Sequence, residues 1–376
     1  MYATQPLLPE LRAVFGASEA AVGLTIFAIT FACALSAPFV GSLADRVGRK
    51  RVIVTAIALL GVVTLGTASA ATLPALIAWR FGQGLFMPAI FAVTLAYIAE
   101  EFPAEVGGRA VGAYIGGNVF GGFLGRYLTA IVADRTDWHV AFVVLGVLNL
   151  LGAAVVIVAL PRSRRFVRST SLGSALRAIG SFVRNPVLVA TDVIGGSILF
   201  TLVAAFTFAT FYLAAAPFSL GTAALGNIFC VYLFGVVASP LSGGLIDRFG
   251  HRATLLMSVG ASALGIFITL IANVAAIVVG LALMASGVFC AAAASQGYVG
   301  VVATEQRSTA AALYLSVYYG GGGLGAVLPA LAWAHGGWPA TVALILAVQI
   351  GACVLAQTVW PPPPRRAPSL AAQAPL

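Results

Sequence analysis

The sequence predicts an all-α, polytopic membrane fold made of two matching helical halves, and three observations predict it. Of the 376 residues, 61% are apolar and 8% charged, with a mean hydropathy of +1.04, whereas a water-soluble domain carries about 25% charged residues. Long apolar runs recur along the whole chain. The turn Gly41-Ser42-Leu43-Ala44-Asp45-Arg46-Val47-Gly48-Arg49-Lys50 returns 202 positions later as Gly243-Gly244-Leu245-Ile246-Asp247-Arg248-Phe249-Gly250-His251-Arg252.

Apolar runs of about 17–25 residues can cross a bilayer. They fall near 20–43, 52–71, 73–99, 110–132, 138–160, 186–212, 222–246, 253–272, 274–303, 308–333 and 338–358. That makes eleven complete spans. Continuous apolarity selects helices, because a membrane barrel alternates apolar and polar residues in segments of about ten. The runs define an N-terminal half at 1–160, a basic linker at 161–185, a six-helix C-terminal half at 186–359 and a Pro/Ala-rich tail at 360–376. Within the linker, Leu172 to Val183 carries apolar residues at helical spacing between arginines. That pattern suits either a helix on an anionic leaflet or a plain basic connector.

Alternating spans place sixteen of the twenty Lys and Arg residues on one side, two on the other, and Arg80 and Arg126 inside spans. Cationic turns stay cytoplasmic during insertion, so both repeated turns and the C-terminus are expected there. The net charge of +9 then reports topology, and no nucleic-acid partner is expected.

The repeat also predicts a first helix. Shifting 186–212 back by 202 places its counterpart at −16 to 10, so about seventeen residues of that span are expected ahead of Met1. Met1 to Pro9 would be its outer end, with a misassigned start or a truncated chain as the explanation. It lacks the basic start and longer apolar core of a signal peptide.

The two copies of G-x-L-x-D-R-x-G-x-[KR], together with the central basic loop, resemble the major facilitator superfamily. Arg80-Phe81-Gly82-Gln83-Gly84 looks like a second signature of that superfamily. The series Gly112, Gly116, Gly117, Asn118, Gly121, Gly122, Gly125 and Arg126 looks like a variant of the glycine-rich fifth helix of its drug/proton antiporter branch, without the usual Gly-Pro pair. The resemblance implies two six-helix pseudo-repeats with the first helix truncated, a monomer in the bacterial inner membrane, and a role for the arginine at Arg80 in proton coupling or substrate binding.

Within that frame each motif has a physical expectation. Asp45 and Asp247 end helices, where an acid facing a neighbouring helix N-terminus is favourable by about 0.3–1 kcal/mol, rising to about 2 when partly buried. In the resembled fold they meet the starts of 308–333 and 110–132, so that Asp45, Arg46, Gly48, Arg49, Lys50, Asp247, Arg248, Gly250 and Arg252 latch the cytoplasmic side. Arg80 lies seven residues into its span, about 10 Å deep at 1.5 Å per residue, where a charge faces a cavity or a partner. Gln83 shares its face. Asp192, about 9 Å deep from the other side, is the one protonatable acid well inside a span, and the difference in depth argues against its pairing with Arg80. Arg126 lies near the outer third. Two outer cations could select an anion, unless Glu10, Asp134 and Asp137 neutralise them. Asn118, Asn227 and Gln296 are polar groups inside spans, suited to a cavity or to interhelical hydrogen bonds. Gly112, Gly116, Gly117, Gly121 and Gly125 form small-x-x-x-small ridges for close helix packing, and Gly320 to Gly325 do the same in the second half.

The four cysteines are isolated within spans and the three histidines lie in separate turns, so neither a metal site nor an enzyme is expected. No cofactor is expected beyond a proton gradient. The expected function is secondary transport of a small molecule by alternating access, with proton-coupled efflux leading and uptake or uniport of a small, possibly anionic solute as the alternative. A receptor would need a folded signalling module, and the chain beyond Pro361 has no room for one.

Overall fold

The computed structural model describes residues 1–161, 185–303 and 307–361. Nearly all of the expected linker and tail therefore lies outside the described residues. The rest is helical, with no strand among the described residues. A 3₁₀ turn at Gln5–Leu7 leads into α1 (Leu8–Phe15). It is followed by α2 (Glu19–Val47), α3 (Arg49–Thr67), α4 (Leu73–Glu101), α5 (Ala104–Arg135) and α6 (Trp138–Ala159). The second half comprises α7 (Pro186–Ala214), α8 (Thr222–Ile228), a 3₁₀ turn at Phe229–Tyr232, α9 (Leu233–Ile268), α10 (Val274–Val302), α11 (Arg307–Val327) and α12 (Pro329–Val359).

Helix starts are set by short polar side chains that satisfy backbone N–H groups the helix leaves unpaired. Ser18 accepts from the Ala21 amide at 3.2 Å, Thr72 from Ala75 at 3.4 Å, and Asn273 from Ala275 at 2.9 Å. Thr72 and Asn273 stand at corresponding places in the two halves. So do Gly48 and Gly250, with φ of 102° and 79°. Each makes the sharp reversal between two spans in a conformation that a side chain would strain.

Eight helices are long and apolar enough to cross a membrane, fewer than the eleven runs. Two of the eight contain a break, at Gly250 in α9 and at Gly336–Gly337 in α12, so each holds parts of two expected spans. The run 222–246 is interrupted by the 3₁₀ turn after α8, and 308–333 by Pro329, which cannot donate a helical hydrogen bond. Helix α5 falls outside the eight because its sequence carries Arg109, Arg126, Asp134 and Arg135 among many glycines.

In the first bundle α2, α3, α4 and α6 pack on one another, and α5 joins through α4 and α6; in the second, α7 is central to α10, α11 and α12, with α9 against α10. The halves meet chiefly where α2 lies along α11 and where α5 lies along α8 and its following turn.

Close helix approach occurs at other glycines than the expected ridge. At Gly112, Gly116, Gly117, Gly121 and Gly125 an added Cβ would meet no atom within 4 Å. This corrects the packing expectation: α5 is glycine-rich on faces that border open space, so small-residue spacing alone does not identify a contact. In α11 the same spacing does pack. A Cβ at Gly321 would lie 2.1 Å from the Gly196 carbonyl oxygen, and one at Gly325 2.5 Å from that of Phe200. Gly23 of α2 is pressed on the Ala326 carbonyl, and Gly84 of α4 on that of Ile29.

Candidate functional site

Two buried arginines stand out, Arg80 inside the first half and Arg126 where that half meets the second. Arg80, on α4, is 2% exposed. Its Nε donates to the Thr25 carbonyl at 3.3 Å, one terminal nitrogen to Gln83 Oε1 at 2.5 Å, and the other to the Met1 carbonyl. Gln83 in turn donates to the hydroxyls of Thr64 at 2.9 Å and Thr67 at 3.1 Å on α3. Every partner in this chain is neutral. The Phe142 ring lies 6.0 Å from the guanidinium.

Arg126, on α5, is equally buried and reaches across to the other half. Its Nε donates to Gln5 Oε1 at 2.8 Å, a terminal nitrogen to the Gly122 carbonyl at 2.6 Å, and the other to Tyr232 Oη at 3.5 Å. The rings of Tyr2, Phe229 and Tyr232 stand 4.9, 5.2 and 4.4 Å from its central carbon. Gln5 also donates to Thr207 of α7 at 3.3 Å, so one polar chain ties α5, the N-terminal segment and α7 together.

Neither arginine has a carboxylate partner among the described residues. The three acids that could have neutralised them are engaged elsewhere. Glu10 accepts from Thr222 Oγ1 at 3.5 Å, Asp134 from the Ala223 amide at 3.2 Å, and Asp137 caps α6 through the amides of His139 and Val140. The bonds of Glu10 and Asp134 tie α1 and α5 to α8 at the end opposite the basic turns, where Gly226 of α8 also sits against Ala130 of α5.

The basic end is arranged differently. Asp45 pairs with Arg49 at 3.3 Å, and Arg49 Nε donates to Glu100 of α4 at 2.5 Å. Lys50 donates to the Ile157 carbonyl at 2.8 Å, and Arg252, its repeat, to the Trp360 carbonyl at 3.1 Å. Each places a cation on the C-terminal carbonyls of the last helix of its own half. Arg46, Asp247 and Arg248 are exposed, with Arg248 over the Phe249 ring at 5.2 Å. The contacts shown by the two turns thus stay within one half. The side chains that begin α11, and several that begin α5, lie outside the described residues, and with them the expected cross-half contacts of Asp45 and Asp247.

Asp192 is partly buried on α7, with no ion pair among the described residues, within electrostatic reach of the buried Tyr314. Asn118, Asn227 and Gln296 are exposed, not buried in helix contacts. Sequence reading missed Tyr2, Gln5, Thr207, Phe229 and Tyr232, since aromatic residues in apolar runs look like packing. Gln5, a polar residue in a short apolar stretch, was the available signal.

The all-helical membrane bundle is shared with known proteins. The model of the Major Facilitator Superfamily matches residues 1–235 and 217–375. The chain belongs to that superfamily. This transporter is 29% identical over 346 residues to the uncharacterised MFS-type transporter YybF of Bacillus subtilis, covering 92% of this chain and 86% of that one. It is 29% identical over 358 residues to the inner membrane transport protein YnfM of Escherichia coli, covering 93% and 85%. In fold it is similar to a bacterial homologue of the human lysosomal transporter Spinster in an inward-facing and occupied conformation. The TM-score is 0.74 at 15% identity, over 95% of this chain and 92% of that one.

The end of the transporter opposite the basic turns carries a pH-dependent contact. Burial raises the Glu10 carboxyl above its usual range; the Thr222 hydroxyl opposes this, Asp137 and Asp134 add to it, and His139 opposes it. The folded state therefore holds this proton more tightly than the unfolded chain. Its stability increment is complete below the ordinary carboxylate value of about 4.3 and is lost as pH rises through the raised value. Asp137, lowered by the amides it caps, loses its own contribution only further toward acid. Acidifying from about pH 7 to about pH 5 should raise the melting temperature less in Glu10→Gln than in the parent; equal rises would assign the effect to other groups.

Proposed function

We propose that this transporter is a proton-coupled secondary carrier that exports a small organic solute by alternating access, with its basic turns and C-terminus in the cytoplasm of a bacterial cell. The orientation follows from the excess of Lys and Arg on one side. In that orientation the contacts of α5 with α8 lie toward the exterior and support a state closed on that side. The observation that carries the reading is Asp192. It is a carboxylate well inside a span, partly exposed, with no cation paired to it among the described residues. A group so placed can take and release a proton as the bundle reopens.

In proteoliposomes, Asp192→Asn should lose the dependence of net transport on a pH gradient while retaining solute exchange, which needs no net proton movement. The solute for this assay is the compound that most stabilises the purified protein in a melting screen. An unchanged pH response in Asp192→Asn would remove Asp192 as the coupling acid.

A further inference from the structure

We infer that the solute carried is an organic carboxylate, held at the interface of the two halves by the guanidinium of Arg126 and the hydroxyl of Tyr2. This deepens the transport reading and rests on it. A guanidinium has five N–H donors and does not give up its proton in proteins. Three protein acceptors are in reach of Arg126, all neutral, and the one to Tyr232 is at the 3.5 Å limit. Two N–H groups remain for something that is not protein. The nearby acids of the closed end are committed to Thr222, Ala223 and the start of α6, and Arg80 adds a second buried cation of the same half with neutral partners only. The site is therefore positive by construction. Such a site favours an anion over a neutral or cationic solute, because a second uncompensated cation would be repelled in a medium of low dielectric.

A second observation points to the same place. The Tyr2 hydroxyl is buried without a hydrogen-bond partner, although its ring lies on the Arg126 guanidinium. Buried hydroxyls are normally paired. A carboxylate bridging the free N–H groups of Arg126 and the Tyr2 hydroxyl would satisfy both, in charge-assisted hydrogen bonds of the strong class. Tyr232 and Tyr318 lie within electrostatic reach of Tyr2, and Phe229 stands beside Arg126, so aromatic faces surround the charged group and suit the apolar body of the solute. Tyr2 comes from the N-terminal segment, Arg126 from α5 and Tyr232 from the second half. Solute binding there senses both halves, as a carrier that rocks about its midplane requires.

The test uses the full chain in detergent with no gradient, so that it is independent of coupling. The probes are carboxylates and the matching amides: benzoate and benzamide, cinnamate and cinnamamide, octanoate and octanamide. Each binds, or fails to bind, by calorimetry and by shift of the melting temperature. At least one carboxylate should bind and stabilise while its amide does not. Arg126→Gln should weaken that binding by about 100-fold, and Tyr2→Phe by about tenfold without changing the melting temperature of the ligand-free protein. Should Arg126→Gln fail to fold, Tyr2→Phe decides. Amides equal to carboxylates, no binding by any carboxylate, or carboxylate binding unchanged in Tyr2→Phe would each overturn the inference. Carboxylate binding with an unchanged pH response in Asp192→Asn would instead overturn only the coupling reading.

Discussion

Gly321→Val should give almost no monodisperse protein in detergent, while Gly320→Ala, one residue earlier, should melt at or slightly above the parent temperature. The contrast comes from what each new side chain meets. A Cβ at Gly321 falls 2.1 Å from the Gly196 carbonyl oxygen and 2.5 Å from both the Gly196 carbonyl carbon and Cα. All three are backbone, so no rotamer change relieves the clash, and α11 must part from α7. Overpacking in a core typically costs about 1–3 kcal/mol. This contact is backbone on backbone and is continued one turn on by Gly325 against Phe200, so the loss should reach the upper end of that range or pass it. At Gly320 no atom lies within 4 Å, and replacing an interior helix glycine by alanine gains up to about 1 kcal/mol of helix propensity. Size-exclusion profiles and melting curves of the two variants check the pair. If both lose folded protein alike, α11 is sensitive everywhere and the α7–α11 seam has no special standing.

That seam shows where sequence reading succeeds and where it stops. Gly48 and Gly250 could be matched as turn residues because the motif around them repeats, and both adopt positive φ. The apolar runs placed the helices because a bilayer requires long uninterrupted apolar stretches. The glycines of α5 and α11 have the same small-residue spacing, yet Gly321 and Gly325 of α11 press on backbone while Gly112, Gly116, Gly117, Gly121 and Gly125 of α5 meet nothing within 4 Å. Spacing records which residues share a face of one helix. Which face meets a neighbour depends on the angle and shift between helices far apart in sequence. The arginines follow the same rule. Arg80 and Arg126 could be singled out because charge inside a span is costly. The partners of Arg126 come from Gln5, Gly122 and Tyr232, and only the chain fold brings the first and last of these to α5. Asp45 pairs with Arg49 of its own turn, an i,i+4 neighbour close in sequence, while its expected contact with the start of α11 falls on side chains outside the described residues.

Arg80→Met should leave net transport at no more than about 1% of the parent while costing less stability than Gln83→Ala, an order that separates a charge needed for work from one needed for folding. In Gln83→Ala the arginine stays and loses its 2.5 Å acceptor, and the hydroxyls of Thr64 and Thr67 lose their donor. A buried charge left short of partners costs about 3 kcal/mol or more. In Arg80→Met the charge itself is gone, which relieves a burial penalty of about 2.5–3.5 kcal/mol for a central membrane cation. What remains are the Gln83 oxygen and the Met1 carbonyl, each short of a donor at about 1–3 kcal/mol for such a group. The two terms nearly cancel, so the variant should melt close to the parent. Combining Arg80→Met with Gln83→Leu should remove the orphaned amide too, with a coupling of about 0.5–3 kcal/mol between the sites, and still not restore transport. Melting curves of the three variants and uptake of the solute into proteoliposomes give both readouts. Full transport by the double variant would show that the Arg80–Gln83–threonine chain only holds α3 and α4 together, and would leave Arg126, among the described residues, as the one buried cation with a claim on the solute.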